Sequence, residues 1–147
     1  SRIVSYSVKP PLCNMEKRNY MHEIAEQEAM RPTILVVDDE ENFLTLLRWF
    51  LAQRGYDVVT ASSADQATEL LDEYTFDVAL IDIKLGTDDG LMLLEELTHR
   101  LPDLKVFMMT AYPTVGSIKK AFDQGALRYL TKPVDLQELA KALRSLF

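Results

Sequence analysis

Cysteine and histidine are scarce in this chain: its 147 residues include one cysteine, Cys13, and two histidines. A single thiol cannot close an internal disulfide, and this set is too small for a soft-metal cluster. Glycine is sparse as well, with five in all, and no Walker-type or GxGxxG loop follows any apolar run. Nucleotide binding through a glycine-rich phosphate cradle is therefore disfavoured. No apolar stretch approaches the roughly 20 residues of a membrane span, and the start lacks the apolar centre of a signal peptide. A cytoplasmic protein with no membrane attachment is expected. What is present is ordinary for a globular domain, 48% hydrophobic and 27% charged, in a length that suits one core.

The net charge of −7 is unevenly spread. Residues 1–31 hold five basic and four acidic side chains, whereas residues 32–147 hold eleven basic and nineteen acidic, leaving that part at −8. Such a body repels phosphate backbones, so direct nucleic-acid binding by this domain is not expected.

The chain divides near Pro32. Residues 1–14 show no period and carry the breaker Pro10-Pro11, while 15–30 have helical spacing with a thin apolar stripe of Met21, Ile24 and Ala25. Because the chain opens on serine, a truncated or engineered start is expected. Residues 1–31 read as a flexible or partly helical leader. From 32 to 147 the pattern is regular. Apolar runs ILVV (34–37), VVT (58–60), FDVALI (76–81), VFMM (106–109) and RYL (128–130) alternate with helix-period stretches over 41–54, 63–74, 91–101, 115–124 and 135 to the end. The first stretch stacks Phe43, Leu44, Leu47, Phe50 and Leu51 on one face, with Trp49 expected in the helix packing. Leu91, Leu93, Leu94 and Leu97 read as core. Asp135 and Glu138 suggest a capping box at the last helix. Five strand–helix alternations imply an α/β, flavodoxin-like doubly wound (βα)5 domain, a five-stranded parallel sheet of order 2-1-3-4-5.

Ligands of such sheets bind beyond the carboxyl ends of the strands. Strand one ends in Asp38, Asp39, Glu40 and Glu41, strand three in Asp82, strand four in Thr110, and strand five in Lys132-Pro133. Three crowded carboxylates call for a cation, and oxygen-only ligands favour Mg²⁺, or Mn²⁺ in its place. With Lys132 and a divalent cation the set is formally neutral. A phosphoryl group could then convert one carboxylate into an acyl phosphate, with Lys132 and Thr110 binding its oxygens. Asp82, on the central strand, is the best nucleophile.

The segments ILVVDDEEN, ALIDIKLGTDDG, FMMTAY and YLTKPVDLQEL, in this order and spacing, resemble the receiver domain of bacterial two-component response regulators over residues 32–147. The stretch TAYPTVGSIKKAFDQGALRYLTKP looks most like receivers of the nitrogen-regulation type. The resemblance implies that Asp82 accepts phosphoryl from a histidine kinase or phosphotransfer protein. It further implies that Asp38 and Asp39 hold the metal with Asp82 and the backbone carbonyl of Lys84. Thr110 would be the switch hydroxyl, Tyr129 the switch aromatic, and Lys132–Pro133 a cis peptide. Phosphorylation would remodel the face of the fourth helix, fifth strand and fifth helix. An output domain or partner would read that face, or the face could mediate homodimer formation. Catalysis would be limited to the domain's own phosphorylation and slow dephosphorylation.

Two positions depart from the family pattern: Gly86 replaces a usual proline, which frees the loop after Asp82, and Asp88 stands where an apolar residue is common. Lys84 and Tyr112, each two residues beyond a site residue, are candidates to screen the acyl phosphate from water. His22 and His99 read as surface residues. A turnover phosphatase with an aspartyl-phosphate intermediate is the competing enzyme class, but Asp38 is followed two residues later by Glu40 rather than by a second aspartate. A receiver-like scaffold that is never phosphorylated is the other alternative. The last helix is expected to close at the chain end, Phe147, leaving a stand-alone receiver or a piece of a larger regulator.

Overall fold

The computed structural model describes residues 10–29 and 31–147. The aperiodic reading of residues 1–9, and Met30, fall outside them. The chain forms two units, Ser1–Arg31 and Pro32–Phe147. In the first, a helix spans Asn14–Ala29. Its start is capped locally, with the Cys13 Sγ accepting from the Glu16 N–H and the Glu16 carboxylate accepting from the Cys13 N–H. Met15, Tyr20, Met21 and His22 of this helix are exposed. Among the described residues no helix is long and apolar enough to cross a membrane.

In the second unit, strands β1 (Thr33–Val37), β2 (Asp57–Ala61), β3 (Val78–Asp82), β4 (Lys105–Thr110) and β5 (Arg128–Thr131) form one sheet. Their spatial order is β2-β1-β3-β4-β5 and every pairing is parallel. Helices α1 (Glu41–Ala52), α2 (Ala64–Leu70), α3 (Gly90–Arg100), α4 (Val115–Asp123) and α5 (Leu136–Arg144) connect or follow them. Period-2 alternation sorts the strand side chains. Ile34, Val36, Leu80 and Phe107 pack with α1 and α5, whereas Leu35, Val37, Ile81 and Met108 pack with α2, α3 and α4. Strands β1 and β3 are thus apolar on both faces, as a covered parallel sheet requires.

Helix starts follow from short polar side chains that satisfy orphan N–H groups. Ser63, Asp89, Thr114 and Asp135 cap α2, α3, α4 and α5. Asp135 accepts from both Gln137 and Glu138 N–H groups, but the capping box expected there is completed instead at α4, between Thr114 and Ser117. The second predicted helix is cut to seven residues, and the chain turns through 71–73.

One packing expectation is overturned. Trp49 is 62% exposed, because the inward stripe of α1 runs through Leu44, Leu47, Phe50 and Leu51 and leaves position 49 pointing away with Leu46. Leu91, Leu93, Leu94 and Leu97 are buried, and His99 is exposed.

Candidate functional site

Strand register brings the chemistry together. Asp38 directly follows β1, Asp82 closes β3, Thr110 closes β4 and Lys132 directly follows β5, so all four lie at the same edge. Asp38, Asp82 and Thr110 are the buried polar residues of the domain. One carboxylate oxygen each from Asp38, Asp39 and Asp82 lies within 4.8 Å of the others. Asp39 is exposed, at the mouth of the group.

Each buried carboxylate is held by a turn of its own loop. The Glu40 N–H donates to Asp38 Oδ1 at 2.9 Å, and the Lys84 N–H donates to Asp82 Oδ1 at 3.0 Å. Both are side-chain-to-backbone bonds two residues on, the Asx-turn geometry that a short acidic side chain provides. The remaining oxygens share one cation: Lys132 Nζ donates to Asp38 Oδ2 at 2.5 Å and to Asp82 Oδ2 at 2.7 Å. The lysine follows a backbone bond from its own N–H to the Thr110 carbonyl (2.8 Å) and precedes a cis peptide to Pro133. Its ammonium also lies 4.6 Å from the Phe43 ring centroid. Phe43 belongs to the apolar stripe of α1, and nothing in the sequence separately signals that it underlies the lysine.

Electrostatics follow from burial against pairing. Burial is the largest influence on Asp38 and, despite Lys132 and the Glu40 N–H, holds its carboxyl above the usual carboxylate range. For Lys132, burial pulls the pKa down, but hydrogen bonds and charges from Asp38 and Asp82 outweigh it and leave the ammonium above the ordinary lysine value. The lysine therefore stays charged, and its one ammonium is shared by two of the three carboxylates.

A cavity of about 210 Å³ opens over this group, lined by Asp39, Asp82, Lys84, Gly86, Thr110 and Tyr112 among others. Thr110 Oγ1 accepts from the Tyr112 N–H at 3.1 Å. Lys84 Nζ lies 5.7 Å from the Tyr112 ring centroid, and that ring is 74% exposed. Tyr129 is half-buried beneath α4, its hydroxyl 2.9 Å from Ser117 Oγ. Ser117 also donates to the Thr114 carbonyl, so Tyr129 supplies the proton of the shared bond. The sequence gives no signal for this role of Ser117, since a serine in a first helical turn reads only as a helix-start residue.

The two departures from the family pattern have structural causes. Residues Lys84–Leu85 and Asp88–Asp89 pair as a short antiparallel ribbon, and Gly86 opens its two-residue turn at φ +59°. Proline cannot adopt that φ, and glycine does so without strain, so the loop is a defined hairpin rather than a loose segment. Asp88 turns away from the carboxylate group, and its Oδ2 accepts from the Ala64 N–H at the start of α2 (3.1 Å).

The donor set consists only of oxygens, carries a charge deficit and opens to solvent at Asp39, which fits a hard divalent cation such as Mg²⁺. The chain is also similar to known proteins. The response regulator receiver domain model matches residues 34–144. The alginate biosynthesis transcriptional regulatory protein AlgB of Pseudomonas aeruginosa is 40% identical over 109 residues, 74% of this chain and 24% of that protein. The transcriptional regulatory protein ZraR of Escherichia coli K12 is 40% identical over 110 residues, 75% of this chain and 25% of that protein. This chain thus spans about a quarter of the length of these curated relatives. Among solved structures, the signal receiver domain of an HD domain-containing protein from Pseudomonas fluorescens Pf-5 superposes with a TM-score of 0.76 at 36% identity, covering 79% of this chain and 94% of that one. A response regulator from Burkholderia pseudomallei, solved with a phosphorylated aspartic acid, calcium ion and citrate, gives 0.72 at 34% identity over 76% of this chain and 66% of that one. With this sheet order, this acidic strand edge and a family model that spans nearly all of the second unit, the chain belongs to the response regulator receiver domain family of two-component signalling.

Proposed function

We propose that Asp82 accepts a phosphoryl group from a histidine kinase or phosphotransfer protein, with Mg²⁺ or Mn²⁺ held by Asp38, Asp39, Asp82 and the Lys84 carbonyl. The observation that carries this reading is the position of Asp82 at the end of the central strand, between two further carboxylates and 2.7 Å from Lys132. A carboxylate oxygen of Asp82 attacks phosphorus, the bond to the donor breaks, and its electron pair leaves with the donor group. The metal would neutralise phosphoryl oxygens and draw the incoming anion into an acidic pocket. Lys132, already charged and aimed at Asp82, moves its hydrogen bonds from carboxylate to phosphoryl oxygen. The Thr110 hydroxyl, buried at the end of β4, supplies a further donor once it turns from the Tyr112 N–H. The phosphorylated aspartic acid in the Burkholderia pseudomallei relative supports the same chemistry here.

The domain catalyses only its own phosphorylation and slow hydrolysis. Lys84 and Tyr112, face to face across the cavity mouth, limit the approach of water and set the lifetime. The signal leaves through α4, β5 and α5. Val115, Phe122 and Leu127 are exposed there, beside Lys120 and Arg128, while Lys119 is paired with Asp123 at 3.1 Å. An exposed apolar face with two cationic side chains, on a domain of charge −8, fits a partner surface or output domain with a complementary apolar patch, and it also permits self-association. AlgB and ZraR are transcriptional regulators by name, so control of transcription through a further domain is the expected output.

Beryllofluoride, which mimics an acyl phosphate, tests the reading. Its ¹⁹F spectrum should show a bound signal that requires Mg²⁺ and Asp82. The same signal from Asp82→Asn, or no signal from the parent, would count against Asp82 as acceptor.

A further inference from the structure

Helix α3 begins on the peptide group of the acceptor itself. The Gly90 N–H donates to the Ile83 carbonyl at 2.6 Å. A Cβ on Gly90 would lie 2.0 Å from the Asp82 carbonyl oxygen, 2.8 Å from Ile83 Cα and 2.9 Å from the Asp82 carbonyl carbon. These are backbone atoms with little freedom to yield. Asp82 is paired with Met109 in the sheet, and the Ile83 N–H donates to the Met109 carbonyl at 2.9 Å. On the helix side, Leu91, Leu93, Leu94 and Leu97 are buried and Asp89 caps the Leu91 N–H at 2.8 Å. Any side chain at position 90 must therefore displace the Asp82 backbone, the helix, or both. Gly116 differs in kind, since nothing lies within 4 Å of a Cβ built there.

We infer that Gly90 is a positioning residue for phosphoryl acceptance: by lacking a side chain it lets α3 seat on the Asp82–Ile83 peptide and so sets where the Asp82 carboxylate stands relative to Asp38 and Lys132. This rests on the reading of Asp82 as the acceptor. The Lys84 N–H bond to Asp82 Oδ1, 3.0 Å long, reports the same placement without any phosphoryl group. Helix α3 is thereby mechanically joined to the acceptor, and displacing its first turn moves the reacting group.

The test compares Gly90→Ala with Gly116→Ala and with Leu97→Ala, which damages the buried face of the same helix further along. Three quantities are read: the Lys84 amide resonance in metal-free protein, Mg²⁺ affinity by calorimetry, and the rate of phosphorylation by acetyl phosphate, separated into saturating rate and half-saturation. Gly90→Ala should shift the Lys84 amide, weaken Mg²⁺ binding, and lower the saturating rate by about tenfold or more with half-saturation little changed. Leu97→Ala should lose at least as much thermal stability while keeping Mg²⁺ affinity and saturating rate within about twofold of the parent, as should Gly116→Ala. Parental values for Gly90→Ala, or an equal loss in Leu97→Ala, overturn the inference. Should Gly90→Ala not fold, Asp89→Ala removes the cap on the same first turn without adding a clash, and a saturating rate equal to the parent's overturns it. Labelling of Asp82→Asn at the parental level would instead sink the acceptor reading alone, because the amide and metal readouts still decide the role of Gly90.

Discussion

Replacing Lys132 with methionine keeps the length of its stem and deletes the one cation shared by Asp38 and Asp82. Removing one partner from a buried ion pair commonly costs about 3–5 kcal/mol. Here there is a ceiling, because Asp38 is already held above the usual carboxylate range by burial and can neutralise itself instead. Protonating a carboxyl of ordinary pKa near 4 at pH 7 costs about 4 kcal/mol, so a loss of roughly 2–4 kcal/mol is expected. The sign of the pH dependence follows from linkage. A carboxyl whose folded-state pKa is raised contributes stability at low pH and loses it as pH rises through the folded pKa. Lys132→Met raises that pKa further, so its deficit should shrink toward acid, by up to about 1.4 kcal/mol per pH unit where Asp38 titrates. The assay is urea unfolding of parent and variant in EDTA at several values between pH 5 and 7.5. A deficit under about 1 kcal/mol, or one independent of pH, would refute the lysine bridge as the force that holds these carboxylates.

Three further outcomes are expected. Mg²⁺ at ten times its dissociation constant should stabilise the folded state by about 1.4 kcal/mol, and thermal melts should lose this gain in Asp39→Asn, whose exposed carboxylate contributes to the metal group. Ser117→Ala removes the acceptor of the Tyr129 hydroxyl and half of the α4 capping box, and should cost about 1 kcal/mol with faster amide exchange at the start of α4. Unchanged exchange there would separate Tyr129 from α4. Gly86→Ala should cost about 1–2 kcal/mol from its positive φ. Yet its Cβ would sit at an ordinary 3.7 Å from Asp39 Oδ2, so calorimetric Mg²⁺ affinity should be preserved.

The alternation of apolar runs and helical stretches was enough to read the sheet, because parallel strands buried on both faces leave a continuous apolar signature that amphipathic helices do not. The site was legible for a related reason: Asp38, Asp82 and Thr110 sit where an apolar run stops and Lys132 one residue beyond such a stop, and register brings them to one edge. What escaped was contact across elements. Trp49 follows the apolar composition of its helix but not its stripe, and one residue of phase decides between core and solvent. Ser117 reaches Tyr129 through the packing of α4 on β5, and Asp88 reaches the start of α2 through a ribbon whose turn depends on Gly86. Gly90 has no side chain to draw attention, and its importance lies in how closely two backbones approach.

The most direct test of the central claim is to incubate the protein with acetyl phosphate, with and without Mg²⁺, and locate any added phosphoryl group by mass spectrometry of the digested chain. The account predicts one acid- and base-labile phosphoryl group, dependent on Mg²⁺, on the peptide containing Asp82, and its loss in Asp82→Asn. A phosphoryl group elsewhere in the parent, or none in the presence of Mg²⁺, would contradict it.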